Sequence, residues 1–247
     1  MIDLHCHLLP AFDDGAENTE EALDMARIAQ ENGIQTIVVS PHLAHLPETQ
    51  RFYRARDAGL ARLRRLLAAQ GLELELLSGA EVLVDEDIFY AGDLHPACLA
   101  QTRFLLVEFG FAPLRPAKLL EYLDEISNRG MIPVVAHPER YSFFQQNYNL
   151  VNALCEDGVL FQINAGSLAG LGGPAAQALA AGMVRLQLAQ FLATDAHGAF
   201  RRSPAFRAMR KRFPAQISRE QLHFMTQTAP AALLRGERPL WEKLGYL

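Results

Sequence analysis

Short apolar runs alternate with longer amphipathic stretches along most of the chain. Seven runs rich in β-branched and large apolar residues predict strands. The middle runs are apolar at nearly every position, as expected for parallel strands buried on both faces. Strict alternation of strands and helices predicts an α/β fold. The predicted strands are Ile2–His5, Ile34–Ser40, Leu72–Val82, Arg103–Phe109, Met131–His137, Val159–Asn164 and Phe191–Asp195.

Helical patterns occupy the segments between these strands. The first helix is expected to begin at Asn18, whose side chain can cap it while Glu21 completes a capping box, and to end at Asn32-Gly33. Because no linker, repeat or low-complexity segment interrupts the alternation, a single domain over residues 1–247 is expected. The other predicted helices are Glu48–Gln70, Ala117–Asn128, Asn149–Glu156, Ala175–Arg185 and Pro204–Arg212, with one or two more from Arg219.

Polar residues at the strand ends decide between a doubly wound sheet and a barrel. Nearly every predicted strand delivers a histidine or a carboxylate at its C-terminal end. An open sheet builds its site from a few strands, whereas a barrel gathers all strand ends into one mouth. A seven-stranded barrel similar to a TIM barrel is therefore expected. The residues at these ends are His5, His7, His42, Glu81, Glu108, His137, Asp195 and His197.

The first and last of these strand ends each carry a pair of candidate metal ligands. His5 and His7 share a face because side chains alternate along a strand, so both imidazoles can bind one ion. Asp195 and His197 repeat this spacing. The acidic loop Asp13-Asp14-Gly15 follows the first strand and can fold back over the same mouth.

Two carboxylates within apolar surroundings strengthen the prediction of a metal centre. Glu81 and Glu108 would be costly to bury in ionised form unless a salt bridge or a metal compensated them. With Asp14, the candidates number nine, which is too many for one ion and fits three ions with a bridging carboxylate. Nitrogen and oxygen ligands without thiolate suit Mn, Fe or Zn in a multinuclear site.

Composition excludes several other classes of protein. The chain has 247 residues and a formal net charge of −5, which argues against nucleic-acid binding by bulk charge. Cys6, Cys98 and Cys155 are odd in number and widely spaced, which disfavours a disulfide scaffold and suits a reducing cytoplasm. No cysteine is followed six residues later by arginine, so a cysteine phosphatase is not expected. Neither a signal peptide nor a membrane span is expected.

Seven short segments carry a resemblance to a known family. They resemble the PHP (polymerase and histidinol phosphatase) superfamily, and most closely its bacterial tyrosine-phosphatase branch. This branch comprises the CpsB/YwqE-like enzymes of capsule and exopolysaccharide operons. The segments occur in family order and are Met1–His7, Asp13–Ala16, Ser40–His42, Gly79–Glu81, Glu108–Phe109, Ala136–Tyr141 and Thr194–His197.

This resemblance implies a distorted (β/α)7 barrel of the PHP type that holds three divalent metal ions, with Mn expected first and Fe or Zn as alternatives. Asp13 remains an alternative to Asp14 as a ligand. The family's arginines map onto Arg140 and Arg202, although Arg201 leaves the second assignment open. The implied ligand sets are His5, His7, Glu81 and Asp195 for one ion, Glu81, Glu108 and His137 for the second, and Asp14, His42 and His197 for the third.

The activity implied by the resemblance is hydrolysis of phosphotyrosine in proteins. Clustered divalent ions activate water for in-line attack on phosphorus, and arginines neutralise the phosphate oxygens. The implied partner is a bacterial tyrosine autokinase, and the question of a homo-oligomer stays open. One alternative is a PHP phosphatase for a small phosphomonoester such as histidinol phosphate. Another is a binding protein without catalysis.

Overall fold

Parallel strands in two sheets organise the protein. The computed structural model describes residues 1–46, 49–112 and 114–247. Within these residues one sheet has the order β1-β2-β4 and the other the order β3-β5-β6-β7-β8-β9. The strand pairs in both sheets are parallel, which confirms the predicted α/β class. The strands are β1 (Ile2–Cys6), β2 (Thr36–Val39), β3 (His42–Leu43), β4 (Glu75–Ser78), β5 (Glu81–Leu83), β6 (Phe104–Glu108), β7 (Ile132–Ala136), β8 (Leu160–Asn164) and β9 (Phe191–Ala193).

One of the predicted strands is split into two short strands. The prediction at Ile34–Ser40 contains β2, and β3 begins just beyond its end. The prediction of a continuous strand at Leu72–Val82 was wrong, because this segment is divided into β4 and β5. At this break, a Cβ on Gly79 would lie 2.8 Å from Val38 Cγ1 and 3.0 Å from Leu99 Cδ2. A residue with a side chain would therefore require these neighbours to shift.

The outer strands of the two sheets also meet. A parallel bridge joins Cys6, at the end of β1, to Ala196, which follows β9. On either side of it, the N–H of Asp195 donates to the His5 carbonyl and the N–H of His7 donates to the Ala196 carbonyl, both at 2.9 Å. The first and last strands of the chain are thus hydrogen-bonded to one another.

Helices follow most strands and lie close to their predicted positions. In α1, the Asn18 side chain accepts the Glu21 N–H as predicted, but the Glu21 carboxylate accepts the N–H of Glu17, so the capping box is not closed. The predicted start of the second helix at Glu48 lies outside the described residues. Ala205 has non-helical torsions, so α8 is shorter than predicted. The helices are α1 (Thr19–Glu31), α2 (Thr49–Ala69), α3 (Pro116–Asn128), α4 (Ser142–Gln145), α5 (Tyr148–Glu156), α6 (Ala165–Leu168), α7 (Pro174–Arg185), α8 (Phe206–Arg210), α9 (Arg219–His223) and α10 (Ala229–Leu234).

Short irregular helices complete the secondary structure. Within residues 1–46, 49–112 and 114–247 the structure defines four 3₁₀ helices and one π-helix, which joins α9 to α10. Among the helices that the structure describes, none combines the length and the apolar character needed to cross a membrane. The 3₁₀ helices are Glu86–Tyr90, His95–Ala97, Leu99–Gln101 and Pro138–Arg140, and the π-helix is Phe224–Thr228.

Alternate residues of the strands enter two different hydrophobic clusters. In β6, Phe104 and Leu106 pack in one cluster with side chains of other strands and of α10. Leu105 and Val107 point the other way and pack against residues of the surrounding helices. This alternation explains why the middle strands are apolar at nearly every position, since both of their faces are covered.

Tyr141 supplies a buried polar contact within this core, and its removal should destabilise the protein. Its hydroxyl, fully buried, accepts the N–H of Phe109 at 3.0 Å. Replacing Tyr141 with Phe leaves a buried N–H unpaired, so we expect the free energy of unfolding to fall by about 1–3 kcal/mol. Urea unfolding measures this change. The control Tyr148→Phe alters a tyrosine that is 43% exposed and should have little effect. An unchanged Tyr141→Phe midpoint would contradict the assignment.

Candidate metal centre

The predicted ligands come together at one end of the strands. His42 and Glu81 are register partners in adjacent strands β3 and β5, and Glu108 is the last residue of β6. His137 directly follows β7, and Asp195 follows β9 by two residues. His42 and Glu81 begin β3 and β5 and follow the ends of β2 and β4 by three residues, while the others lie at or just beyond the end of a strand, so all reach the same region.

The most buried group of ligand atoms surrounds the H-x-H pair. The Nε2 atoms of His5 and His7 are 3.1 Å apart. Glu81 Oε2 lies 3.1 Å from His5 Nε2 and 3.3 Å from His7 Nε2, and Asp195 Oδ1 lies at 3.4 Å and 3.6 Å. Among the described residues, Glu81 Oε2 and Asp195 Oδ1 have no hydrogen-bond partner although both are buried. Two nitrogens and two unpartnered carboxylate oxygens that converge in this way fit a divalent ion.

A second group shares Glu81 with the first. His42 Nδ1 lies 2.8 Å from Glu108 Oε1 and 3.1 Å from Glu81 Oε2. His137 Nε2 lies 2.7 Å from Glu81 Oε1. The ligand atoms of His42, Glu81 and Glu108 lie within 4.8 Å of one another, while those of His137 lie within this distance of His5 and Asp195. The arrangement therefore differs from the implied set of Glu81, Glu108 and His137.

The acidic loop contributes to a third group. Asp14 Oδ1 lies 3.3 Å from both His42 Nε2 and His197 Nε2, and His7 is close enough to join them. Asp13 points elsewhere: its Oδ2 lies 2.7 Å from His7 Nδ1 and accepts the N–H of His42. Asp14 thus faces the candidate ligand atoms, while Asp13 orients two histidines.

Gly15 allows this loop to lie against the first strand. A Cβ at this position would come within 2.2 Å of the His7 carbonyl oxygen and 2.5 Å of His7 Cβ. No residue with a side chain can take this place without moving the loop. The glycine in the Asp-Asp-Gly sequence is therefore required to bring Asp13 and Asp14 to the centre.

Sequence reasoning missed several residues that hold the ligands in place. Gln162 Oε1 lies 2.7 Å from His5 Nδ1 and so fixes the orientation of the ring. The Asp3 carboxylate accepts both the backbone N–H and the hydroxyl of Thr194, next to Asp195. The sequence did carry a signal for Gln162 and Asp3. Each is a polar residue between two apolar residues of a strand, the same pattern that drew attention to Glu81.

A hydrogen-bonded chain behind Asp195 was also missed. The side-chain amide of Asn164 donates to Asp195 Oδ2, and the buried carboxylate of Glu139 accepts the N–H of Asn164 at 3.0 Å. His137 and Asp195 themselves have φ values of 35° and 51°. Such left-handed torsions are strained for residues with side chains and cluster at functional sites.

Both candidate arginines reach the centre. Arg202 Nη2 lies 2.5 Å from Asp195 Oδ2, and Arg140 Nη1 lies 3.4 Å from the same oxygen. The Arg140 guanidinium also lies 5.0 Å from the centre of the Phe111 ring. Arg201 lines a neighbouring cavity rather than contacting Asp195, so Arg202 is the one beside the ligands.

Close packing of carboxylates and imidazoles shifts the pKa values of both. Burial alone would raise the pKa of Glu81, but His5 and His137 hold it well below its usual range. Burial opposes the charged form of His5, yet Glu81 and Asp195 raise its pKa to about 10. Burial also opposes the charged form of His42, but Glu108 and Glu81 raise its pKa to about 9. Burial and the adjacent His7 lower the pKa of His197 to about 3.

An α/β protein with a centre of histidines and carboxylates at the ends of its parallel strands belongs to the class of metal-dependent enzymes. The profile of the family described as "Capsular polysaccharide synthesis, CpsB/CapC" matches residues 1–235. The chain belongs to this family, which confirms the resemblance drawn from the seven short segments.

Relatives in this family are tyrosine-protein phosphatases. Tyrosine-protein phosphatase YwqE of Bacillus subtilis is 34% identical over 226 residues, which cover 88% of this chain and 87% of YwqE. Tyrosine-protein phosphatase CpsB of Streptococcus pneumoniae is 28% identical over 66% of this chain and 67% of its own. CapC of Staphylococcus aureus is 31% identical over 80% of this chain and 77% of its own.

Solved structures agree with this relationship. A structure from the pair of crystal structures of YwqE of Bacillus subtilis and CpsB of Streptococcus pneumoniae superimposes on this chain with a TM-score of 0.79 and 30% identity. The match covers 98% of this chain and 100% of the other. Those proteins are described as unique metal-dependent tyrosine phosphatases. Dihydropyrimidinase of Brevibacillus agri matches with a TM-score of 0.52 at 13% identity, over 99% of this chain and 72% of its own, which is a likeness of fold alone.

Raised histidine pKa values predict that metal binding releases protons. A metal ion needs neutral imidazole, but the pKa values of His5 and His42 are about 10 and about 9. Below these values Mn²⁺ must displace a proton, so its affinity should fall as the pH drops from about 8 to about 6. Calorimetric titration in buffers of different ionisation enthalpy counts the released protons. A pH-independent affinity without proton release would contradict this picture.

Proposed function

We propose that this protein is a metal-dependent phosphomonoester hydrolase that acts on phosphotyrosine in proteins. The observation that carries the proposal is the position of Arg140 and Arg202 beside Asp195 at the edge of the ligand cluster. Two guanidinium groups next to a candidate multinuclear metal centre suit a phosphate ester, whose oxygens they can bind in pairs. The relatives named tyrosine-protein phosphatases support the same substrate class.

The proposed centre holds three divalent ions, with Mn as the first candidate and Fe or Zn as alternatives. Four overlapping groups of ligand atoms, which share His5, His7, His42 and Glu81, support a centre with several ions. Oxygen and nitrogen donors without thiolate fit these metals. The proposed ligands are His5, His7, Asp14, His42, Glu81, Glu108, His137, Asp195 and His197.

The two sheets are proposed to act as one distorted seven-stranded barrel of the PHP type within a single domain over residues 1–247. The bridge between Cys6 and Ala196 supports closure between the first and last strands. The split strands support it too, because β2 and β3 are successive pieces of one segment in different sheets, as are β4 and β5. In such a barrel, all nine ligands face one mouth.

The chain's own residues prepare the phosphate for transfer. When bound, the metal ions would activate water and neutralise phosphate charge. Asp195 turns Oδ1 toward His5 and His7 and Oδ2 toward the two arginines, so it keeps both guanidinium groups beside the ligands. Arg140 and Arg202 can then donate to oxygens of the phosphoryl group as its bond to the tyrosine oxygen breaks. A phenol, with a pKa of about 10, leaves more readily than an alkoxide.

The proposed partner is a tyrosine-phosphorylated protein of capsule or exopolysaccharide synthesis, such as a bacterial tyrosine autokinase. The family description and the names of the relatives support this setting. The three cysteines are free thiols, two of them buried, which supports a reducing cytoplasm as the location. A net charge of −5 gives no reason to expect a nucleic-acid partner.

Turnover of a phosphotyrosine peptide by Mn²⁺-loaded protein tests the proposal directly. We expect hydrolysis of the peptide, slower turnover of histidinol phosphate, and loss of activity with EDTA. Replacing both His5 and His7 with Ala should abolish nearly all turnover and lower the metal content, while the exposed His223→Ala serves as the control. A metal-replete protein that hydrolyses only histidinol phosphate, or a double variant with full activity, would overturn the proposal.

Arg140 should contribute to the transition state rather than to metal binding. Arg140→Ala should keep the metal content but lose about 2–4 kcal/mol of transition-state stabilisation, the usual scale for one such donor. Arg140→Lys should recover only part of the loss, because an ammonium cannot bind two oxygens in a fork. Steady-state kinetics on p-nitrophenyl phosphate measures kcat/KM, and the exposed Arg54→Ala is the control. Unchanged kcat/KM in Arg140→Ala would mean that Arg140 only braces Asp195.

A further inference from the structure

A cavity of about 580 Å³ opens directly beside the candidate metal centre. At one end it is bounded by Asp195, Arg140 and Arg202. The rest of its lining combines the apolar Leu171, Phe200 and Met209 with the polar Gln145, Ser167 and Arg212. The cavity thus presents both guanidinium groups and large apolar side chains to one ligand.

The apolar part of the cavity carries side chains that the protein leaves uncovered. Leu171 is 60% exposed and Phe200 is 92% exposed, although both are large and apolar. A Cβ at Gly166 would lie 3.8 Å from Leu171 Cδ1 and 4.0 Å from Met209 Sδ, so Leu171 and Met209 flank the same glycine. Adjacent apolar side chains exposed at the edge of a site indicate a ligand surface rather than core packing.

A second cavity shares Phe200 and Arg202 with the first but has a different balance of charge. Five carboxylates line it together with His197, Arg201 and Arg202, whereas the first cavity is lined by three arginines and one carboxylate. An anionic substrate is therefore better matched by the first cavity. The acidic residues that line it are Asp14, Glu17, Glu20, Glu21 and Asp24.

We propose that the cavity beside Arg140 and Arg202 is the subsite for the aromatic ring of the substrate. With the phosphoryl group between these arginines and the metal centre, the phenyl ring of phosphotyrosine extends toward Leu171, Met209 and Phe200. Thioether and aromatic side chains both make favourable contacts with a ring. The short stem of phosphoserine would leave these walls uncovered, so the subsite selects aryl over alkyl monoesters. This inference rests on the proposed phosphatase function.

Binding of two phosphonates tests the subsite without requiring turnover. Phenylphosphonate and methylphosphonate carry the same anionic group and differ in the ring. Metal-loaded wild-type protein should bind phenylphosphonate at least about tenfold more tightly, because only that ligand buries a ring. Leu171→Ser should remove most of this preference and leave methylphosphonate affinity unchanged. Leu240→Ser, at another exposed leucine outside the cavity, is the matched control.

A second variant changes the cavity from α8. Ala208 is exposed on α8 and lines the cavity, whereas Arg210 on the same helix does not. Ala208→Trp should occupy the space for the ring and weaken phenylphosphonate binding selectively, while Arg210→Trp should not. Equal wild-type affinity for the two phosphonates, no binding of either, or an intact preference in both Leu171→Ser and Ala208→Trp would overturn the inference. Failure of the phosphatase proposal would give a different result. In that case phenylphosphonate would still bind more tightly than methylphosphonate, but the phosphotyrosine peptide would not be hydrolysed.

Discussion

The burial of two carboxylates among imidazoles is the interaction on which the rest of the site depends. Glu81 and Asp195 are almost fully buried, and each turns one oxygen without a hydrogen-bond partner among the described residues toward the Nε2 atoms of His5 and His7. Anions in such a place must be compensated by cations. Protonated histidines, the two arginines and divalent metal ions can all provide that compensation. The same charges therefore explain the raised histidine pKa values, the position of the arginines and the affinity for metal.

Local breaks in the strands serve this arrangement. After Pro41 and after Gly79-Ala80 the chain leaves one sheet and joins the other, and there His42 and Glu81 become register partners. A continuous strand would keep its residues in a single ladder. The strained torsions of His137 and Asp195 have a comparable effect, because they turn the chain just beyond β7 and β9. Regular secondary structure thus supplies the scaffold, and its irregular ends direct the ligands.

Short-range rules predicted most of the strands and the candidate ligands. The alternation of side chains placed His5 and His7 on one face, and the cost of burying charge singled out Glu81 and Glu108. The break at Gly79 could not be predicted from local sequence, because the side chains that lie against Gly79 belong to Val38 and Leu99, which are distant in sequence. The grouping of His137 with His5 and Asp195 likewise depends on the tertiary arrangement. Gln162 could have been found, since it obeys the rule that identified Glu81.

The hydrogen bonds between the first and last strands have a consequence for synthesis of the protein. During synthesis, Asp195 and His197 leave the ribosome nearly two hundred residues after their partners His5 and His7. The bridge between Cys6 and Ala196 cannot form before then. Closing so long a loop carries an entropic cost that only late contacts repay. A chain that stops before Asp195 therefore lacks one of the four candidate ligands in its most buried group, and the complete ligand set can form only once the last strand has been made.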